Sequence, residues 1–246
     1  MNISCQRIYC FLLYFSLLTS CTTNRYIYPD PAVKNKRLNL GLLTPNCILG
    51  VIQEGNKMIY DSTASRKAQK RITDLFKETV SQHTSIKEIV TDTASYRKIY
   101  QEVFQISSKM RIAKTKSRKQ QIVDSCSISK GLDSLMQVNQ IDQLVITYQQ
   151  GFYRTKANYK KQNLKATGVG LLTLGLYIPV PIGSQSLLVS WVIDRNKKAL
   201  VFSNLKSEEM HPTNMANLKQ QVCELYLKFY TGAYSDGVCY PLLLGK

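Results

Sequence analysis

Residues 165–194 read KATGVGLLTLGLYIPVPIGSQSLLVSWVID, and between Lys165 and Asp194 there is no charged side chain. In a chain whose formal net charge is +17, such a run is either a membrane span or the interior of a folded domain. Its composition argues against the span. Gly168, Gly170, Gly175 and Gly183, with Pro179 and Pro181, interrupt a helix, and Ser184, Gln185 and Ser186 stand in the middle. The second half, 187–193, lacks alternation, as expected of a central strand buried on both faces. The first half, 166–182, reads as a Gly- and Pro-rich apolar loop packed over the sheet. Two alternatives stay open for it. One is that the stretch is an exposed apolar patch for a partner or a membrane surface, with Tyr177, Ile178, Pro179, Val180, Pro181 and Ile182 as the contact. The other is a bilayer-inserting β-hairpin, which wants about ten residues of alternating polarity, and LLTLGLYIPVPI alternates poorly.

Outward from this run the pattern is that of a mixed fold. Asp194-Arg195-Asn196-Lys197 is turn chemistry between QSLLVSWVID and ALVFSNLK, which predicts a hairpin. Pro212-Thr213-Asn214 starts a last helix, with Leu218, Val222, Leu225 and Phe229 facing inward and Gly232 as its stop. On the other side, TKANYKKQNLK is a basic link preceded by DQLVITYQQGFYR, a strong strand, and by a short helix in ISKGLDSLMQVNQID. Further back, a helix from Ala94 carries Tyr96, Ile99, Tyr100, Val103 and Ile106 as its stripe, and SIKEIVTD is a short strand. A helix capped by Asp61 or Ser62 carries Ala68, Ile72, Leu75, Phe76 and Val80 at helical spacing. Strands at 47–53 and 57–60 precede it. The expected fold class is therefore α/β (α+β), a single mixed β-sheet covered by helices, with a C-terminal β-hairpin followed by a helix.

The first twenty residues, MNISCQRIYCFLLYFSLLTS, read as an export signal: Arg7 is the positive start, and residues 8–18 are an apolar run too short for a helical span of about 20 residues. Cleavage would remove one positive charge and leave the chain strongly basic. The expected organisation is a signal at 1–20, Cys21 and a tether at 21–37, an α/β domain at 38–232 and an irregular tail at 233–246. Export argues against nucleic acid as the partner of so basic a chain. It leaves lipid headgroups and anionic wall polymers.

Of seven cysteines, Cys5 and Cys10 fall in the signal. With Cys21 set aside, Cys47, Cys126, Cys223 and Cys239 allow three disulfide pairings, none of them dictated. His83 and His211 have no partner at ligand spacing, so no metal is expected, and no GxSxG, HExxH, P-loop or GxGxxG appears. A catalytic centre and a cofactor are therefore not expected. Arg154, Lys156, Lys160, Lys161 and Lys165, with Tyr153 and Tyr159 among them, form the candidate anionic-surface cluster. The competing account is a charged sheet edge that blocks strand-to-strand association.

Leu18-Thr19-Ser20-Cys21 resembles the lipobox of bacterial lipoproteins. That resemblance implies cleavage before Cys21, a diacylglyceryl thioether on its sulfur, and anchorage in the cell envelope. Thr22, where Asp would favour inner-membrane retention, points to the outer membrane. The C-terminal part, TGVGLLTLGLYIPVPIGSQSLLVSWVIDRNKKALVF with HPTN and a helix, resembles lipoproteins of Bacteroidetes. The element order from 38 to 230 is similar to the α/β domain of CsgG, the curli-secretion lipoprotein, and of lipoprotein activators of penicillin-binding proteins. It implies a non-catalytic binding or assembly module for another envelope protein or an anionic wall or membrane component. The alternative it implies is a subunit of an oligomeric secretion channel, from which this sequence departs by lacking inserted amphipathic hairpins.

Overall fold

The structure is a computed structural model and describes residues 25–26, 39–80, 85–115 and 127–231. The expectations for the signal, Cys21, His83, Cys126, Cys239 and the tail lie outside those residues. The strands are β1 Arg25–Tyr26, β2 Asn39–Leu43, β3 Asn46–Ile52, β4 Met58–Tyr60, β5 Ser85–Ile89, β6 Gln143–Arg154, β7 Ser184–Asp194 and β8 Ala199–Glu208. The helices are α1 Ser62–Val80, α2 Thr93–Thr115, α3 Lys130–Val138, α4 Lys156–Leu172 and α5 Met215–Thr231. The fold is α/β, with one mixed sheet in the order β1-β8-β7-β6-β2-β5 and β3 and β4 alongside.

β6 organises this sheet. One edge pairs antiparallel with β7 along its length. The other is shared by β2 and then β3, both parallel to it. The partners Leu42↔Val145 and Asn46↔Tyr148 leave one extra residue on the β2–β3 side, where Pro45, without an N–H, breaks the ladder. The Tyr100 hydroxyl fills that break. It accepts from Asn46 N–H at 3.0 Å and donates to the Thr147 carbonyl at 2.8 Å. Burial pushes its pKa well above the ordinary tyrosine value, as expected of a phenol kept neutral.

Helices cover both faces. On one, Ala68, Ile72, Leu75 and Phe76 of α1 and Leu218, Val222 and Leu225 of α5 pack on Leu49, Val145, Leu188 and Val192. On the other, Ile99, Tyr100, Val103 and Ile106 of α2 and Leu132 and Met136 of α3 pack on Leu144, Ile146, Trp191 and Ile193. Buried side chains of this size each contribute about 1.5–3 kcal/mol, so these stripes hold the sandwich. Residues 188–193 are buried, as the lack of alternation predicts, and Asp194 closes the hairpin by accepting from Lys197 N–H at 3.0 Å.

The segment after β6 differs from its sequence expectation. TKANYKKQNLK is neither a link nor a sheet edge; it opens α4, and Gly168 and Gly170 lie inside the helix. Thr155 caps the start, its hydroxyl accepting from Asn158 N–H at 3.2 Å. Gly170 is required by packing, because a Cβ there would lie 2.9 Å from Ile178 Cγ1. The expected tether also touches the domain, since β1 pairs with β8 through Arg25↔Ser203 and Tyr26↔Phe202.

Candidate interaction surface

α4 stands outside both helical layers and joins the domain through a polar knot. At its centre is Asn56, in the left-handed region at φ 61°, a conformation that asparagine tolerates better than most residues. Its side-chain oxygen accepts from Arg154 (2.9 Å), Gln162 (2.9 Å) and Asn158 (3.3 Å). Asn158 also donates to the Gln53 carbonyl at 2.7 Å. Arg154 in turn donates through Nε to the Ile182 carbonyl at 2.8 Å and through its terminal nitrogen to Asn158 Oδ1 at 2.8 Å. Arg154 thus holds both ends of the α4 excursion together, and its guanidinium donors are engaged within the protein. It differs in this from the lysines with which the sequence grouped it.

Lys156, Lys160, Lys161 and Lys165 are all exposed on α4, and from Thr155 to Ile193 there is no Asp or Glu. They do not serve the helix. Lysines in the first turns oppose the positive end of the helix dipole, and the like-charged pairs Lys156/Lys160 and Lys161/Lys165, four residues apart, each destabilise it by about 0.2–0.5 kcal/mol.

The helix ends in a Schellman cap: Gly175 N–H donates to the Gly170 carbonyl at 2.8 Å and Leu174 N–H to the Leu171 carbonyl at 3.2 Å. Leu174 occupies the left-handed position, at φ 51°, where glycine is the usual residue. Beyond it the chain folds back along α4, with Ile178 over Gly170 and Tyr177 N–H donating to the Thr173 hydroxyl at 3.2 Å. Leu174 and Leu176 are each 91% exposed, and Leu171, Leu172, Tyr177, Ile178, Val180 and Ile182 are exposed as well. Pro179 and Pro181 are half-buried. The loop therefore does not pack over the sheet; the open alternative, an exposed apolar patch, describes it. Sequence reading left the whole of 166–182 open as such a patch but put the contact at 177–182, without singling out Leu171, Leu172, Leu174 and Leu176, which are more exposed than most of it.

A further cluster of titratable groups lies where α1 starts. The Tyr153 hydroxyl donates to Asp61 Oδ2 at 2.5 Å, and its ring lies 4.7 Å from that of His211. The bond to Asp61 and burial raise Tyr153 to about 12. Asp61 is held below its ordinary value by the Ala64 N–H and the Tyr153 hydroxyl, and His211 is lowered by burial and by Lys67. Asp61 also caps α1 through Ala64 N–H at 2.8 Å, so the cluster ties α1, β6 and the approach to α5. Its groups are paired with one another rather than aimed into a cavity. Cys47 is buried with its thiol pushed up to about 12 by desolvation, which removes it as a nucleophile at neutral pH. Cys223 is disulfide-bonded. No cluster of three or more metal-ligating side chains occurs among the described residues.

On the α2 face the Phe104 ring meets Tyr148 and Trp191 edge-on at 5.3 and 4.9 Å. A groove of about 400 Å³ has walls that include Ile48, Gly50, Met58, Tyr60, Phe152 and Leu187. No described helix is long and apolar enough to cross a membrane.

No protein-family model matches the chain, and no curated protein matches it. Among solved structures it is similar to the PelC dodecamer from Paraburkholderia phytofirmans at 7% identity, over 77% of this chain and 83% of that one, with a TM-score of 0.32. A PelC variant dodecamer from the same organism gives 8% identity, 83% and 89% coverage and a TM-score of 0.30. Similarities at these TM-scores carry no argument about what the chain does.

Proposed function

We propose that this chain is a lipid-anchored module of the cell envelope that works by binding rather than by catalysis, with α4 and the loop after it as its working surface. The anchor is Cys21 in its lipobox-like context, and Thr22 favours the outer membrane. One observation carries the choice of surface: the loop holds Leu174 and Leu176 at 91% exposure beside a helix of four exposed lysines. A soluble domain gains nothing from such residues unless something covers them.

The test is a photo-crosslinking residue placed at Tyr177 in cells, with the exposed α2 position Lys98 as control, and the intact mass of the mature chain measured in parallel. The expected outcome is an adduct with an envelope component at 177 above that at 98, on a chain bearing diacylglyceryl at Cys21. Equal labelling at the two positions would remove α4 and its loop as the working surface. An unmodified Cys21 in the mature chain would remove the anchor.

A further inference from the structure

The occupant of this surface can be named by its chemistry. We propose that the residues 171–180 tip of the α4 arm enters the acyl boundary of a bilayer while Lys156, Lys160, Lys161 and Lys165 bind anionic lipid headgroups, making a membrane contact separate from the Cys21 anchor. The inference rests on α4 and its loop being the working surface.

Four observations favour a lipid surface over a protein groove. The leucines project singly, with Leu174 and Leu176 almost wholly exposed. A fluid phase accommodates such a shape without a matching cavity. Charge is confined to the first part of the helix, with lysines at 156–165 and Leu164 exposed among them, and only uncharged residues follow up to the exposed Leu171 and Leu172. At 1.5 Å per residue, Lys165 stands about 10 Å from Leu172 and Lys156 about 24 Å. The first distance matches the ~5–10 Å to which interfacial apolar faces sink, and the lysines nearer the helix start meet the headgroups when the helix lies tilted towards the surface. Lysine stems are long enough to bring their ammonium groups to the phosphates from there. Tyr177 sits at the tip with its ring exposed, a residue type enriched at membrane–water interfaces. Finally, no carboxylate occurs between Thr155 and Ile193, so nothing in the segment repels an anionic surface.

Leu174 makes the idea separable from a structural role. It stands in the left-handed cap position that glycine fills with less strain, so L174G should leave the fold at least as stable. If the tip enters lipid, the same change removes a buried side chain and weakens binding by about tenfold.

The experiment uses the whole chain with Cys21→Ala, so that no anchor contributes, and vesicles of phosphatidylcholine with or without phosphatidylglycerol. The expected results are binding that requires phosphatidylglycerol and weakens with salt, about tenfold loss in L174G with no fall in Tm, and a larger loss when the four lysines become glutamine. Tyr177→Trp should shift its emission to the blue on binding, against the constant background of buried Trp191. Equal binding by L174G, binding indifferent to phosphatidylglycerol, or an unshifted Tyr177→Trp spectrum in the bound state would each overturn the proposal. A protein adduct at position 177 in cells, with no vesicle binding, would also overturn it while leaving the working surface in place. Labelling no stronger than at Lys98 would remove both.

Discussion

In α1 the apolar side chains Ala68, Ile72, Leu75 and Phe76 are all buried; in the α4 arm Leu171, Leu172, Leu174 and Leu176 are all exposed. The contrast extends to polar groups and backbone. α1 starts on an Asp61 cap and buries one stripe. α4 places lysines against its own dipole, repeats like charges a turn apart, and puts leucine where a cap favours glycine. A sequence usually satisfies local and global preferences together and breaks them where something other than folding is at stake. The sandwich follows the first habit and the arm the second.

The comparison is tested most severely in the core. Phe76→Ala should destabilise the domain by about 3–5 kcal/mol, read as a lower denaturation midpoint, while vesicle binding per folded molecule stays unchanged. A loss of binding per folded molecule would show that the two regions are not independent. The break between β2 and β3 offers a finer cut. Tyr100→Phe keeps the ring but removes the hydroxyl that accepts from Asn46 N–H, which should cost about 1–3 kcal/mol; urea titration giving a neutral result would mean that other groups satisfy the break. The smallest effect runs in the opposite direction. Lys156→Glu should stabilise the start of α4 by about 0.3–1 kcal/mol through the dipole, seen as slower amide exchange in its first turns, while weakening binding to anionic vesicles. A variant that loses on both counts would make Lys156 structural.

The same contrast explains what could be read from sequence. The helices at 62–80, 93–115 and 215–231, the hairpin around Asp194 and the buried strand through 188–193 announce themselves because their own side chains bury against the sheet. The periodicity is then local. α4 is held instead by Gln53 and Asn56, residues distant in sequence from Arg154, Asn158 and Gln162, and no window of the helix shows them. Its apolar residues also fall on the outside, so the stripe that marks a helix is absent. The candidate surface was half legible. Its charges and the apolar run at 177–182 stood out, but Arg154 looked like its neighbours until its partners were known. The β1 pairing was equally hidden, because two residues carry no pattern.

Tyr153 and Ser184 are paired across β6 and β7, and Arg154 N–H donates to the Gly183 carbonyl at 2.8 Å, so the arm is an insertion in what is otherwise an antiparallel hairpin. Its two ends are already adjacent, and closing a longer or shorter loop there changes the entropy of folding only slowly with length. The domain is in this sense a chassis: an arm of different length or sequence can be mounted between β6 and β7 without altering a residue of either core.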